Sequence, residues 1–265
     1  MQPDEDPNFW RAFPYEDLVV RVAVCHAQRR LLEGKVAAAE VNGARYAVAC
    51  QLISGRGIEV GAGSRPLPLP EGVEVLYGDI RDKDGLAAYF GEAIQGGAHI
   101  DAQSFAGVKD ASQDFVISAH VIEHLYDPIG SISQAMRILR PGGRYLLIVP
   151  DMRHTFDRDR PETSIDHLLA DYQDGGRGTI EQAYRDHLSY VHPFITGETI
   201  PMGEIETRIR DGIAQNLDVH VHAWTANGFR RMLEAICGSI GFRTIFEMFV
   251  VNENIFVLEK GNSLL

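Results

Sequence analysis

Positive charge and cysteine are both scarce in this 265-residue sequence. Lysine and arginine number 25 against 37 aspartates and glutamates, for a formal net charge of −12. No run of cations forms a stripe, which argues against nucleic acid or an anionic membrane as the main partner, because phosphate contacts need clustered positive charge. A neutral or cationic small molecule fits better. The three cysteines, Cys25, Cys50 and Cys237, are scattered and form no Cys-x-x-Cys pair. Buried, reduced thiols in a cytosolic protein are the expectation. Met1 to Pro7 is acidic and polar, unlike a secretory leader. No apolar run approaches the roughly 20 residues that a membrane helix needs. These absences predict a soluble, cytoplasmic protein.

What is present is a changing period. Pro14 to Ser54 reads as two helices, the first with Leu18, Val22 and Cys25 at helical spacing and Gly34 as its stop. Arg56 to Val60 then switches to a short strand ending at Gly61, and Val73 to Tyr77 is a second. Asp84 to Ile94 reads as a helix, and a short strand comes next near Ile100. Asp114 to Ser118 and Arg144 to Val149 are apolar runs of the kind buried on both faces of a parallel sheet. Between them lies an amphipathic helix, Ile129 to Leu139, closed by Arg140-Pro141-Gly142-Gly143. The alternation predicts an α/β fold with a doubly wound, mostly parallel sheet and helices on both faces.

Residues 152–222 break that rhythm and read as a helical insertion. Thr163 to Asp166 resembles a capping box, with Ile165, Leu168, Leu169 and Tyr172 on one apolar face. Ile180, Ala183, Tyr184, Leu188 and Val191 form another face. From Thr225 a helical stripe resumes (Phe229, Met232, Leu233, Ile236, Cys237). Beyond it lie strands Arg243 to Val251 and Asn254 to Glu259, so closely joined that they can pair only as an antiparallel hairpin. The expected divisions are an N-terminal helical cover (1–54), a core (55–151 and 223–265) and the insertion as substrate cover (152–222).

The segment "GIEVGAGSRPLP", Gly57 to Pro68, carries the first chemical signal. A dinucleotide fingerprint requires a third glycine where Pro66 stands. Only about a dozen residues separate the strands on either side, too few for a crossover with a substantial helix. The prolines favour an extended path, so no helix N-terminus is available for a pyrophosphate. S-adenosylmethionine carries no phosphate. It needs a close backbone approach, which Gly61 and Gly63 permit, and carboxylates near its charge and ribose, where Glu59 and Asp79 are placed.

Here the sequence resembles the class I S-adenosylmethionine-dependent methyltransferases, type-11-like and acting on small molecules. The matching segments are Ile58 to Gly63, Asp79, Asp101-Ala102, Asp114 to Pro128 and Leu139 to Asp151. The resemblance implies a Rossmann-like, seven-stranded, mostly parallel sheet with an antiparallel C-terminal hairpin. It implies S-adenosyl-L-methionine as cofactor, with Gly61, Ala62 and Gly63, flanked by Glu59 and Ser64, at its methionine part. Asp79 and Ile80 would meet the ribose, Asp101 and Ala102 the adenine, and Ser118, Ala119, His120 and His124 the sulfur end. The departure from the family is the lost first crossover helix, which leaves Arg65 as the residue of interest at the methionine carboxylate.

Methyl transfer needs orientation, and a base when the nucleophile must lose a proton. His154 is the first choice of base, then His120 and His220. His124 also reads as a structural partner, and Asp157 to Glu162 as a polar loop. His187 reads as a satisfied core histidine, and His167 with Asp171 as a surface pair. If Asp218 to His222 is extended, Asp218, His220 and His222 point one way. That face would bind a metal, line a pocket or be hydrogen-bonded structure, and no residue is assigned as a metal ligand. The leading expectation is methyl transfer to an oxygen or nitrogen of a small molecule, such as a sugar or secondary metabolite. The alternatives are a non-catalytic cofactor-binding or assembly module and a metal-dependent hydrolase using the His-rich insertion. The oligomeric state stays open, with a homodimer as one option.

Overall fold

A computed structural model describes residues 15–91 and 97–261. The expectations for Met1 to Pro7, for Pro14 and for a helix reaching Ile94 fall outside those residues. The chain divides into two units, Met1–Gly43 and Ala44–Leu265. The described part of the first is helical, the beginning of α1 (Tyr15–Leu52). The expected stop at Gly34 is corrected: α1 is one unbroken helix. A lone glycine costs a helix only about 1 kcal/mol relative to alanine, and no proline reinforces it.

In the second unit, residues 44–52 complete α1, and the strands come in order. They are β1 (Arg56–Val60), β2 (Glu74–Asp79), β3 (Ala98–His99), β4 (Gln113–Ala119), β5 (Leu139–Pro150), β6 (Phe242–Val250) and β7 (Glu253–Lys260). They form one sheet in the order β3-β2-β1-β4-β5-β7-β6. β1 to β5 pair in parallel, whereas β7 runs antiparallel to both β5 and β6. The expected hairpin is present. The Arg140–Gly143 segment, expected to close the helix as a loop, is instead drawn into the start of β5.

The further helices of this unit are α2 (Lys83–Phe90), α3 (Pro128–Ile138), α4 (Ile165–Asp174), α5 (Ile180–Asp186), α6 (His192–Thr196), α7 (Ile205–Ala214) and α8 (Ala226–Ile240). The central strands alternate between two cores. Val116, Tyr145, Leu147, Phe256 and Leu258 face one side, where α3 and α8 supply apolar cover through Ile129, Ile132, Met136, Phe229, Met232 and Ile236. Phe115, Ile117, Leu146, Ile148, Ile255 and Val257 face the other side. This is the two-sided burial that makes such strands read as continuous apolar runs. Local signals start the helices: Asp127 caps α3 by accepting from the Gly130 N–H at 2.7 Å, and Thr225 caps α8.

The connection from β1 to β2 contains no helix, as its length and prolines predict. Its place on the second face is filled by Val48, Ala49 and Ile53, around the end of α1, and by Leu67 from the proline-rich segment. The expected burial of the cysteines is corrected: Cys25 and Cys50 are exposed and Cys237 is half-buried. At the end of α1 the core-facing positions belong to Val48 and Ala49, so the next residue, Cys50, turns away from them. The insertion has a small core of its own, built from Ala183, Tyr184, Leu188, Ile209, Val219 and Val221.

Candidate cofactor and acceptor site

The turn after β1 is shaped by two glycines at positive φ, Gly61 at 69° and Gly63 at 53°. A Cβ on Gly61 would collide with the Val121 side chain and one on Gly63 with the tip of the exposed Phe90 ring, which can move aside, so conformation requires glycine at both positions and space adds to it at Gly61. The Gly61 N–H donates to the Gly78 carbonyl at 2.9 Å, which ties the turn to β2. Glu59 does not face this turn freely. Its side chain is buried, and one carboxylate oxygen accepts from the Leu67 N–H at 2.9 Å. Burial pushes its carboxyl up to about 7. Glu59 thus anchors the proline-rich segment that replaces the missing helix. Arg65 is exposed, and its own N–H closes the turn onto the Ala62 carbonyl at 3.0 Å.

Along the same sheet edge, Asp79 ends β2 with Oδ1 accepting from the Arg81 N–H at 2.8 Å. Its Oδ2 accepts no hydrogen bond from a described residue, and Ile80 beside it is exposed. That pairing of an available carboxylate oxygen with an apolar neighbour fits a ribose and its base. Asp101 uses both oxygens locally, on the Gln103 N–H and the Ser104 hydroxyl. Ala102 is buried and accepts from the Ser131 hydroxyl. Ser118 departs from the sequence expectation. Its hydroxyl points into the core against the Tyr145 hydroxyl at 3.0 Å, which leaves only its backbone at the edge.

β4 delivers a polar cluster. His120 lies just past its last residue with φ 54°, a conformation uncommon for a residue with a Cβ and costing on the order of 1 kcal/mol. Its Nε2 lies 3.0 Å from Glu253 at the start of β7, and its Nδ1 lies 3.6 Å from Glu123. Burial pushes the His120 ring down, but the Glu253 hydrogen bond and the two carboxylate charges outweigh it and raise the pKa. Arg45 closes the far side, donating to both oxygens of Glu253 at 2.8 and 2.5 Å. His124 lies 2.8 Å from Asp218. The His124 hydrogen bond, opposed by desolvation, holds the Asp218 carboxyl well below the usual range. Sequence reasoning missed Glu123, Glu253 and Arg45. The "VIEH" spacing was a signal for Glu123, whereas Glu253 and Arg45 meet only through the sheet order.

The insertion contributes to this cluster, but not as one face. Asp218 to His222 forms no strand. Asp218 and His220 turn toward His124, the two rings meeting edge to face at 4.7 Å. His220 Nδ1 lies 2.6 Å from Asp157. His222 goes elsewhere: it is buried, stacked on Trp224, and its pKa is pushed by burial down to about 3. The shared face is therefore corrected, because without strand regularity successive side chains need not alternate. Three further readings change. Asp157 and Arg160 are buried, with Arg160 also donating to the His220 and Val221 carbonyls. Asp171 is buried too, so His167, 3.2 Å away, is no surface partner. His187 is half-buried, its Nδ1 has no partner among the described residues, and burial lowers its pKa to about 4, so it is not a satisfied core histidine. His154 is exposed against Phe249 of β6, apart from the His120 cluster in its contacts.

Residues 60–147 match a family described as a methyltransferase domain. A 56-residue stretch is 48% identical to a Mycolicibacterium smegmatis protein named as a probable S-adenosylmethionine-dependent methyltransferase. That match covers 20% of this chain and spans 21% of the relative's length. Among solved structures, an S-adenosylmethionine-dependent methyltransferase from Methanosarcina mazei is 17% identical, covering 82% of this chain and 98% of its own, with a TM-score of 0.48. A Thermotoga maritima protein described as a possible histamine N-methyltransferase is 17% identical, covering 90% of this chain and 96% of its own, with a TM-score of 0.45. Residues 60–147 thus resemble a methyltransferase domain, and S-adenosylmethionine is the cofactor in the name of the relative matched over 56 residues.

Proposed function

We propose that this protein transfers a methyl group from S-adenosylmethionine to an oxygen or nitrogen of a small molecule, such as a sugar or secondary metabolite. The observation that carries this reading is a shared edge. The Gly61–Gly63 turn, Asp79 and His120 stand at the carboxyl ends of β1, β2 and β4, which are neighbours in the sheet. Ligands of open α/β sheets bind at that edge. When bound, the cofactor supplies an electrophilic methyl on a sulfonium. The chain supplies the rest: the glycine turn admits the methionine backbone, and Asp79 accepts from the ribose. Ser118 and Ala119 offer backbone groups near the sulfur, and His120 and His124 close that end. Residues 152–222 cover the acceptor. His120 is favoured as the base over His154 and His220 because it lies directly after the strand that reaches the cofactor. The acidic charge balance suits an uncharged or cationic acceptor.

Calorimetry with S-adenosylmethionine, then a screen of acceptors for S-adenosylhomocysteine release, tests the proposal. Asp79→Ala should weaken cofactor binding about 10- to 100-fold, the loss of a charged hydrogen bond. His120→Ala should slow turnover far more than it weakens cofactor binding. No binding at millimolar cofactor would refute the reading, and binding without turnover on any acceptor would favour a non-catalytic module.

A further inference from the structure

The least explained group in the second unit is Glu123. Its side chain is fully buried, and neither carboxylate oxygen has a hydrogen-bond partner among the described residues. A bare buried carboxylate costs several kcal/mol unless something pairs with it. What surrounds it is imidazole. His220 Nε2 lies 4.0 Å from Glu123 Oε1, and one ligand atom from each of Glu123, His124 and His220 lies within 4.8 Å of the others.

The rings are already oriented. His220 has Nδ1 against Asp157 at 2.6 Å, and His124 has Nδ1 against Asp218 at 2.8 Å. A ring whose Nδ1–H donates to a carboxylate presents Nε2 as a free lone pair on its opposite side. Carboxylate–histidine pairs of this kind support metal ligands, because the outer carboxylate fixes the tautomer and raises the ring's basicity. Two such pairs flanking an unpartnered carboxylate form a ligand set, not a surface acidic patch. Arg160, buried behind Asp157, fixes that outer carboxylate in turn.

We propose that Glu123, His124 and His220 bind a divalent first-row transition metal ion. Two imidazoles and one carboxylate suit such ions, and three protein ligands leave positions open for an exogenous group. Ligands about 2.1 Å from the metal stand roughly 3 to 3.5 Å apart, so on loading the His220–Glu123 pair, at 4.0 Å, closes by roughly 0.5 to 1 Å, and a pair at the 4.8 Å limit by roughly 1.3 to 1.8 Å. His120 flanks the opening. Its side chain and that of His124 are about one-third exposed (37% and 31%), whereas Glu123 forms the floor at 1%. The second His/Asp group, His167, Asp171 and His222, is a separate knot within the fold; the Thr179 hydroxyl takes Asp171 Oδ1, while Oδ2 and both His222 ring nitrogens have no hydrogen-bond partner among the described residues. The metal proposal does not depend on methyl transfer.

The test uses the full chain stripped with chelator and titrated with Zn²⁺ and Co²⁺ in the absence of S-adenosylmethionine. One ion should bind per chain, and Co²⁺ should develop the visible bands of a four- or five-coordinate nitrogen and oxygen site. Glu123→Gln and His220→Ala should each weaken binding at least 100-fold, whereas His167→Asn should leave it unchanged. Absence of stoichiometric binding, or a Co²⁺ spectrum that remains that of the hexaaqua ion, would overturn the proposal. So would binding that survives Glu123→Gln with the fold intact by circular dichroism. The Co²⁺ spectrum of the unsubstituted chain decides the matter if a variant fails to fold. Cofactor binding is measured separately, so a failure here is distinguishable from a failure of the methyl-transfer reading.

Discussion

Replacing Glu59 with glutamine should abolish a pH-dependent loss of stability. The carboxyl is buried at the end of β1, with one oxygen on the Leu67 N–H and the other without a partner among the described residues. Desolvation raises its pKa from 4.5 to about 7. The sign comes from linkage: the folded state keeps a proton that the unfolded chain releases above pH 4.5. The extra stability is therefore complete below that pH, falls as pH rises toward 7, and is gone above it. The span between the two values corresponds to at most about 3 kcal/mol. Glutamine keeps the acceptor for Leu67 and carries no charge, so Glu59→Gln should match the parent near pH 4.5 and exceed it by up to about 3 kcal/mol at pH 8. For a domain of this size that corresponds to roughly 6–12 °C in Tm. Thermal and urea denaturation from pH 4.5 to 8 measures it, with the difference between the two proteins removing contributions from other groups. Parallel stability–pH curves for the two would refute the reasoning.

Leu67→Ala should destabilise by about 2–5 kcal/mol in urea denaturation, since Leu67 is buried where a crossover helix would otherwise lie. Arg45→Met should cost about 3–5 kcal/mol by leaving the Glu253 carboxylate buried without its cation, read as a lowered urea midpoint at pH 7. Thr225→Ala removes the cap of α8, whose side chain accepts from the Gly228 N–H, and should cost about 1 kcal/mol in the same assay.

The strands and most helices were legible because their signals are local. β4 and β5 are apolar on both faces, and the α8 stripe repeats every three to four residues. The missing helix after β1 was legible too, from a short connection and its prolines. Gly34 misled because a glycine ends a helix only when the residues beyond it leave the helical path, and here they continue it to Leu52. The burial of Asp157, Arg160 and Asp171 was illegible: a polar run reads as solvated unless its partners, here His220, His167 and His222, are known to converge on it.

By itself, the sequence determined the α/β rhythm, the glycine turn that excludes a dinucleotide, and the carboxylate at the end of β2, because each depends on residues near one another in the chain. Only the tertiary structure decided what Glu59 does, which side chains surround His120, and how the Asp218–His222 segment divides. Those outcomes depend on burial and on partners up to 208 positions apart, from His120–Glu123 at three to Arg45–Glu253 at 208. Sheet order and loop path, not local spacing, bring such groups within hydrogen-bonding distance.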